Sequence, residues 1–214
     1  MSFGKLYTYP KAPRSSMVLF VAKYNKLDVQ ICNAFPIKVN PEKGGVGEEY
    51  LSKFHTGNNA VTWFLAKQDP NTKLCGSGLK EEITVLRWAP FTNYELLPSI
   101  MAWIGPIIGR TPRSPEILKS CEGCELTIRA IEKEIAEKNF LVGDMLTLAD
   151  LFVVSGLARG YQYVFTKSWA EKHPVVHEYY MRVRSDRGGI FDGILGYNII
   201  RDEPGGTYPD YDGL

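Results

Sequence analysis

The chain has 214 residues, a formal net charge of +1, 44% hydrophobic residues and 23% charged residues. This composition is typical of a globular protein with room for two small domains or one large one, and its near-neutral charge gives no reason to expect nucleic acid or an anionic membrane as a partner. No apolar run approaches the roughly 20 residues that span a bilayer. Because Met1 to Pro10 also lacks the pattern of a secretory signal, we expect a cytoplasmic protein.

The N-terminal part of the chain alternates between strand and helix patterns. Lys5 to Tyr9 and Asp28 to Ala34 are predicted to be strands because β-branched, aromatic and other apolar residues alternate along them. The apolar run that follows Ser15 and Ser16 predicts a helix, for which these two serines are the expected N-cap residues. Strand, helix and strand in this order predict a βαβ unit with a parallel pair of strands.

The rest of the chain shows helical patterns only. Short helices are expected over Glu48 to Phe54 and over Asn58 to Lys67, and Leu79 to about Pro98 is expected to form a longer one that Pro90 kinks or bounds. Three later helices follow, and their expected starts are Ser114-Pro115, Thr147 and His173-Pro174.

The cysteines and histidines give little support for redox, metal or triad chemistry. Cys121 and Cys124 form a C-x-x-C pair, but apolar residues at spacings of three and four around them predict that both lie on the buried stripe of one helix. No second cysteine pair or nearby histidine completes a zinc site, so we expect no metal. The histidines, His55, His173 and His177, do not lie beside a plausible nucleophile.

The segment from Leu141 to Asp150, LVGDMLTLAD, contains a capping box. The Thr147 hydroxyl and the Asp150 carboxylate are placed to bond backbone amides at a helix start, and the run from Leu148 to Tyr163 is apolar enough for a core helix. Together with Gly143, this pattern resembles the central helix of the C-terminal domain of glutathione transferases.

Two further segments extend this resemblance to the whole chain. LYTYP with Arg14 after it, and LRWAPFTNYELLPSIMAWIGPIIG, resemble the transferase-like domain of elongation factor 1B gamma and its free-standing fungal relatives, among them transferases of natural-product pathways such as that of pseurotin. The resemblance implies an α/β thioredoxin-like N-terminal domain over residues 1–72, an all-α C-terminal domain over residues 78–200 and a tail over residues 201–214. It also implies a homodimer.

The implied function is a glutathione transferase that uses glutathione as co-substrate and acts on a small electrophile, by conjugation or by glutathione-assisted isomerisation of a double bond. Some free-standing relatives serve fungal secondary metabolism, and the resemblance extends this role to the present chain as an expectation. The alternative is a non-catalytic interaction domain of the translation elongation factor 1B complex.

The expected catalytic residues are Arg14, Ser15 and Ser16. A hydroxyl donor, a guanidinium and a helix N-terminus would each lower the pKa of a glutathione thiol, although the two serines could also be caps only. One departure from the family concerns Ala12, which stands at the usual position of the activating serine and has no hydroxyl.

The resemblance also implies the ligand-binding residues. Glutathione is expected to be held by Arg14, Ser15, His55, Asn58 and Asn59. The expected pocket for the acceptor substrate is lined by aromatic residues that could instead be core residues, namely Tyr9, Phe91, Tyr94 and Trp103.

The family pattern implies a further segment between Gly57 and Asn58. In relatives a strand with a cis-proline, a hairpin and a Glu-Ser turn lie here and bind the cysteinyl backbone and the γ-glutamyl group of glutathione. This sequence lacks them, which amounts to about fifteen residues at ordinary strand lengths. We expect the segment to be present in the natural protein, whose intact mass would then exceed the 24.1 kDa of these residues.

Overall fold

A computed structural model describes residues 2–9, 12–33, 58–109, 111–112, 116–196 and 200–205. The order of the elements is strand, helix, strand and then helices: β1 (Gly4–Thr8), α1 (Pro13–Tyr24), β2 (Val29–Asn33), α2 (Asn58–Ala66), α3 (Leu79–Phe91), a π-helical segment (Thr92–Leu96), α4 (Leu97–Ile104), α5 (Glu116–Ile135), α6 (Leu148–Tyr163), α7 (Lys167–Lys172) and α8 (Pro174–Leu195). This confirms the predicted α/β unit followed by helices. Across the described ranges, no helix is both long and apolar enough to cross a bilayer.

The two strands pair in parallel, as predicted. Gly4 lies opposite Val29 and Thr8 opposite Asn33, and α1 provides the crossover that parallel neighbours need. α1 has buried residues along most of its length and packs against α2, α6 and α8. This helix therefore connects the strands to the helical part of the molecule.

The start of α1 differs from the prediction. The helix begins at Pro13, and its N-cap residue is Ala12, whose side chain makes no capping hydrogen bond. Proline is favoured at the first helical position because its fixed φ suits the helix and its missing N–H would have no partner there. The prediction that Ser15 and Ser16 cap the helix was wrong, because this proline preference outweighs the serine preference for the cap. Both serines lie inside the first turn and are buried.

The helical path that begins at Leu79 is longer and less regular than predicted. α3 continues through Pro90, the π-helical segment follows directly, and α4 extends the path to Ile104. Pro90 has no N–H to donate to the carbonyl one turn earlier, and its ring crowds that carbonyl. The regular bonding pattern is therefore interrupted, and the wider π-helical turn follows within two residues.

α6 is the predicted core helix, buried along nearly its whole length. The predicted capping box is present at its start. The Asp150 carboxylate accepts hydrogen bonds from the amides of Leu141 and Thr147 and from the hydroxyls of Thr147 and Tyr179, at 2.9 to 3.1 Å. Burial raises the pKa of Asp150 to about 6, and the four hydrogen bonds oppose this rise.

Two of the described cysteines, Cys75 and Cys124, are structural rather than reactive. Cys124 is fully buried in α5, as its place on the apolar stripe predicted, whereas the side chain of Cys121 lies outside the described residues. Cys75 is also fully buried, and desolvation raises the pKa of its thiol to about 11. A buried thiol with a raised pKa is mostly protonated and therefore inert at neutral pH.

α8 begins at Pro174 as predicted, but its path is interrupted near its end. Asp186–Gly189 has non-helical backbone angles, and Arg187 adopts a φ of 52°. A largely buried ion pair between Arg184 and Asp192 spans the interruption. Beyond it, the ring of Phe191 meets that of Phe20 in α1 edge-on at 5.6 Å, so the end of α8 packs against the first helix.

Several predictions fall outside the described residues, among them the helix over Glu48 to Phe54, the Ser114 cap and the expected segment next to Gly57. The strands that the structure does describe form a two-stranded sheet. The expected segment next to Gly57 and the limits of the two domains therefore stay predictions.

Candidate functional site

The first turn of α1 holds three predicted site residues in different environments. Arg14 is exposed, whereas Ser15 and Ser16 are buried. The Ser16 hydroxyl donates to the backbone carbonyl of Ala12 at 3.0 Å. Because its proton is used in this bond, the Ser16 hydroxyl has no proton left to donate to a ligand. The Ser15 hydroxyl makes no hydrogen bond within the described part of the chain. Of the two serines, Ser15 is therefore the better placed to donate to a ligand.

Three polar side chains from different elements meet beside this turn. Arg14 Nε donates to Asn93 Oδ1 at 2.8 Å, and Asn93 Nδ2 faces Asn59 Oδ1 at 3.4 Å. Arg14 belongs to α1, Asn59 to α2, and Asn93 to the π-helical segment. We call these residues the Arg14–Asn93–Asn59 cluster. The fold thus brings together two predicted glutathione-binding residues through a third residue.

The Arg14–Asn93–Asn59 cluster carries a positive charge that is available to a ligand. Arg14 uses its Nε in the bond to Asn93, and its two Nη groups have no hydrogen-bond partner among the residues that the structure describes. Two Nη groups in one plane match the two oxygens of a carboxylate. The cluster can therefore bind an anionic group at the start of α1.

Asn93 is a residue that the sequence analysis did not single out. It lies between Phe91 and Tyr94, both assigned to the acceptor pocket, and no periodic pattern distinguishes it from its neighbours. The signal that could have found it is Pro90, because a proline within a helix marks a place where the backbone departs from regular geometry.

The structure says less about three other predicted site residues, namely His55 and Asn58 of the glutathione site and Tyr9 of the acceptor pocket. His55 lies outside the described residues, and Asn58 is the first residue of α2, with its side chain also outside them. Tyr9 is partly buried after β1, and its backbone carbonyl accepts from the Thr8 hydroxyl and from the Ala12 amide. The roles of these residues stay predictions.

The predicted acceptor-pocket aromatics do not share one environment. The ring of Phe91 meets Trp88 edge-on at 5.1 Å, and that of Trp103 meets Phe165 at 5.9 Å. Tyr94, by contrast, is 78% exposed. Phe91 and Trp103 thus make the ring contacts expected of core residues, which favours the alternative of core packing. The acceptor pocket also stays a prediction.

Comparisons with known proteins agree with this fold. Residues 86–186 match the family model described as Glutathione S-transferase, C-terminal domain. The glutathione S-transferase AN1595 of Emericella nidulans is 34% identical over 194 residues, which cover 85% of this chain and 72% of the relative. The glutathione S-transferase stcT of the same organism is 30% identical over 197 residues, which cover 86% of this chain and 89% of the relative. Elongation factor 1-gamma proteins also match, over less than half of their own length.

Solved structures show the same architecture. The GST-like domain of elongation factor 1-gamma from Saccharomyces cerevisiae matches with a TM-score of 0.78 and 22% identity, over 97% of this chain and 100% of that domain. The molecule therefore has the glutathione transferase fold with a helical C-terminal domain, and the predicted fold class is confirmed. With the relatives at 30% identity or more, the comparisons establish that the chain belongs to the glutathione S-transferase family.

Proposed function

We propose that this protein is an active glutathione transferase that acts on a small electrophilic metabolite, by conjugation or by glutathione-assisted isomerisation of a double bond. The observation that carries the proposal is the arrangement of Arg14, Ser15 and Asn59 around the first turn of α1. A helix N-terminus carries a partial charge of roughly +0.5, and the guanidinium adds a full positive charge. Glutathione, with two carboxylates and a thiol that must ionise, suits such a site.

The proposed reaction starts with the loss of the glutathione thiol proton to water. A free thiol with a pKa of about 8.5 is mostly protonated at neutral pH. Donation from the Ser15 hydroxyl to sulfur, and the positive charge of Arg14, would lower this pKa. In conjugation, the thiolate forms a carbon–sulfur bond while the leaving group departs with its bonding electrons. In isomerisation, the thiolate adds to an activated double bond, the resulting single bond rotates, and the thiolate is expelled unchanged.

Replacing Arg14 by alanine is expected to raise the pKa of the bound glutathione thiol by about one unit, since the variant loses a nearby positive charge. The rate toward chlorodinitrobenzene, as kcat/KM, should fall about tenfold for the same reason. Ser15→Ala should shift the pKa in the same direction. The ultraviolet absorbance of the bound thiolate, titrated against pH at saturating glutathione, measures the shift, and a binding isotherm establishes saturation.

A matched control for Arg14→Ala is Arg182→Ala. Arg182 also donates to an asparagine side chain, Asn139 at 2.6 Å, but it belongs to α8 and its loss should leave the titration unchanged. An unchanged titration in both Arg14→Ala and Ser15→Ala would remove these residues from the mechanism. A wild-type protein that binds no glutathione would refute the proposed function.

The proposed assembly is a homodimer formed through an apolar surface on α2 and α3. Its residues are exposed by 41% to 73% and lie at helical spacings of three and four, namely Val61, Phe64, Leu79, Ile83 and Leu86. An ion pair between Lys67, directly after α2, and Glu82 of α3 brings the end of α2 close to α3. Exposed apolar residues on neighbouring helices favour an interface, and a two-fold copy is the commonest partner.

Replacing Ile83 by glutamate is expected to weaken this dimer by about 10- to 100-fold, because burying an unpaired carboxylate in an apolar contact is costly. Sedimentation at micromolar concentrations measures the change from a species of twice 24.1 kDa to one of 24.1 kDa. Leu126→Glu is the control, since Leu126 is also exposed, at 67%, but lies on α5. A wild type that already sediments as the smaller species would rule out the proposed assembly.

The proposed acceptor is a metabolite of fungal secondary metabolism, and the proposed location is the cytoplasm. The first point rests on the resemblance to fungal transferases described above and on the similarity to two glutathione S-transferases of Emericella nidulans. The second is supported by four cysteines that suit a reducing compartment. A screen of electrophiles with the purified protein and glutathione would identify the class of acceptor.

A second candidate function is a non-catalytic interaction domain of the elongation factor 1B complex. The match to the yeast elongation factor domain over 97% of the chain favours it, as does Ala12, which offers no hydroxyl at the start of α1. In that case the wild type would show no thiolate absorbance, and the apolar surface on α2 and α3 would bind a subunit of the complex. The isotherm and titration described above distinguish the two functions.

A further inference from the structure

The side-chain amide of Asn93 is held in one orientation by three neighbours. Its Oδ1 accepts from Arg14 Nε at 2.8 Å, while its Nδ2 donates to the backbone carbonyl of Ala89 at 3.1 Å and faces Asn59 Oδ1 at 3.4 Å. The Ala89 carbonyl can only accept and Arg14 Nε can only donate. If the oxygen and nitrogen of the amide were exchanged, the nitrogen would face the Arg14 Nε donor and the oxygen would face the Ala89 carbonyl. Neither pair could then form a hydrogen bond.

The backbone that carries Asn93 is also held in place. Asn93 lies in the π-helical segment, and such segments occur frequently at functional sites. Gly156 of α6 allows this segment to approach closely, because a Cβ at Gly156 would lie 3.1 Å from the side chains of Thr92 and Leu96. Thr92 and Leu96 are themselves buried. The side-chain amide of Asn93 is thus held beside Arg14 by a backbone segment that packs closely against α6.

We propose that Asn93 is a positioning residue of the glutathione site, which orients Arg14 and connects it to Asn59. This inference rests on the proposed function. Because the guanidinium is planar, a bond that fixes Nε also fixes the direction of both Nη groups, which are left for a carboxylate of glutathione or for its sulfur. Ordering an exposed arginine before the ligand arrives reduces the entropy cost of binding.

Replacing Asn93 by alanine is expected to raise the dissociation constant for glutathione by about 3- to 10-fold, since the variant loses a hydrogen bond to a charged group. The pKa of the bound thiol should rise as well, because the guanidinium is no longer held near the sulfur. A double-mutant cycle with Arg14→Ala tests the mechanism: once Arg14 is absent, Asn93→Ala should have little further effect. The isotherm and the thiolate titration supply both readouts.

Asn139→Ala is the matched control, because Asn139 accepts from Arg182 in a similar bond in another part of the molecule. Both asparagine variants should melt at similar temperatures, and only Asn93→Ala should bind glutathione less tightly. Solvent exchange of the Arg14 Nε–H, followed by nuclear magnetic resonance without ligand, gives a readout independent of glutathione. It should be slow in the wild type and faster in Asn93→Ala.

Several outcomes would overturn the inference. Asn93→Ala could bind glutathione as tightly as the wild type. Alternatively, the binding free energy lost in Asn93→Ala could add in full to that lost in Arg14→Ala. An exchange rate at Arg14 that is the same in wild type and Asn93→Ala would also refute it. In these cases the proposed function stands, because the wild type binds glutathione. A wild type without glutathione binding would refute both.

Discussion

Replacing Asp150 by alanine is expected to lower the free energy of unfolding by about 3 to 5 kcal/mol. The carboxylate is fully buried and accepts from the amides of Leu141 and Thr147 and from the hydroxyls of Thr147 and Tyr179. Without it, these donors lose their acceptor inside the core, and each unsatisfied buried donor costs about 1 to 3 kcal/mol. Denaturant unfolding followed by circular dichroism measures the loss.

Asp144→Ala is the control for Asp150→Ala. Asp144 lies in the same segment but is exposed, so its replacement should change the free energy of unfolding by no more than about 0.5 kcal/mol. Equal effects of the two replacements would contradict the structural role of the buried carboxylate.

The same carboxylate predicts a dependence of stability on pH. Burial raises the pKa of Asp150 from 3.8 to about 6, so the folded state binds the proton more tightly than the unfolded state. The contribution of this group is therefore most favourable below pH 3.8, falls as the pH rises to about 6, and is constant above that. The unfolding free energy of the wild type minus that of Asp150→Asn should fall by up to roughly 3 kcal/mol across this interval. A constant difference would contradict the raised pKa.

Replacing Gly160 by alanine is expected to destabilise the protein by about 2 to 4 kcal/mol. A Cβ at this position would lie 2.2 Å from a ring carbon of Phe165. That ring is buried, stacks on Trp169 with 3.7 Å between centroids, and meets Tyr161 edge-on. Either the ring or α6 must move, and both movements disturb packed contacts. The melting temperature should fall by about 5 to 10 °C.

Gly123→Ala provides the contrast to Gly160→Ala. Gly123 lies in α5, and a Cβ there would meet nothing within 4 Å. Since glycine inside a helix is unfavourable relative to alanine, this replacement should stabilise the protein by about 0.5 to 1 kcal/mol. A melting temperature of Gly160→Ala equal to or above that of Gly123→Ala would contradict the close contact with Phe165.

The fold could be predicted where it depends on neighbours in sequence. The capping box joins Thr147 to Asp150 three residues later, and the apolar run that follows predicted a buried helix without knowledge of its partners. The start of α1 could not be predicted correctly, because Pro13 favours the first helical position whereas Ser15 favours the N-cap, and the two positions give different helix starts. The π-helical segment also depends on space beside Gly156, more than fifty residues away in the chain, and this space cannot be seen in the local sequence.

The candidate site shows the same limit. Arg14 and Ser15 are adjacent in sequence and precede an apolar helical run, so a positive helix start with a hydroxyl could be predicted. Asn93 contacts Arg14 across 79 positions and Asn59 across 34, and no local pattern reports either contact. Trp103 shows a related limit, because the sequence left open whether it lines a pocket or packs in the core, and its ring contact with Phe165 could not be predicted from its neighbours in sequence.

The interruption of α8 has a consequence for cooperative unfolding. α1 packs against α2, α6 and α8, so its position depends on the helical part of the molecule. The turn at Asp186–Gly189 lets Phe191 pack against Phe20, while the guanidinium of Arg187 lies 5.8 Å from the ring centre of Tyr24. Detaching α1 would expose Phe20 and Phe191 together. We therefore expect opening of the second half of α1, where Phe20 and Tyr24 lie, to be coupled to opening of the end of the last helix.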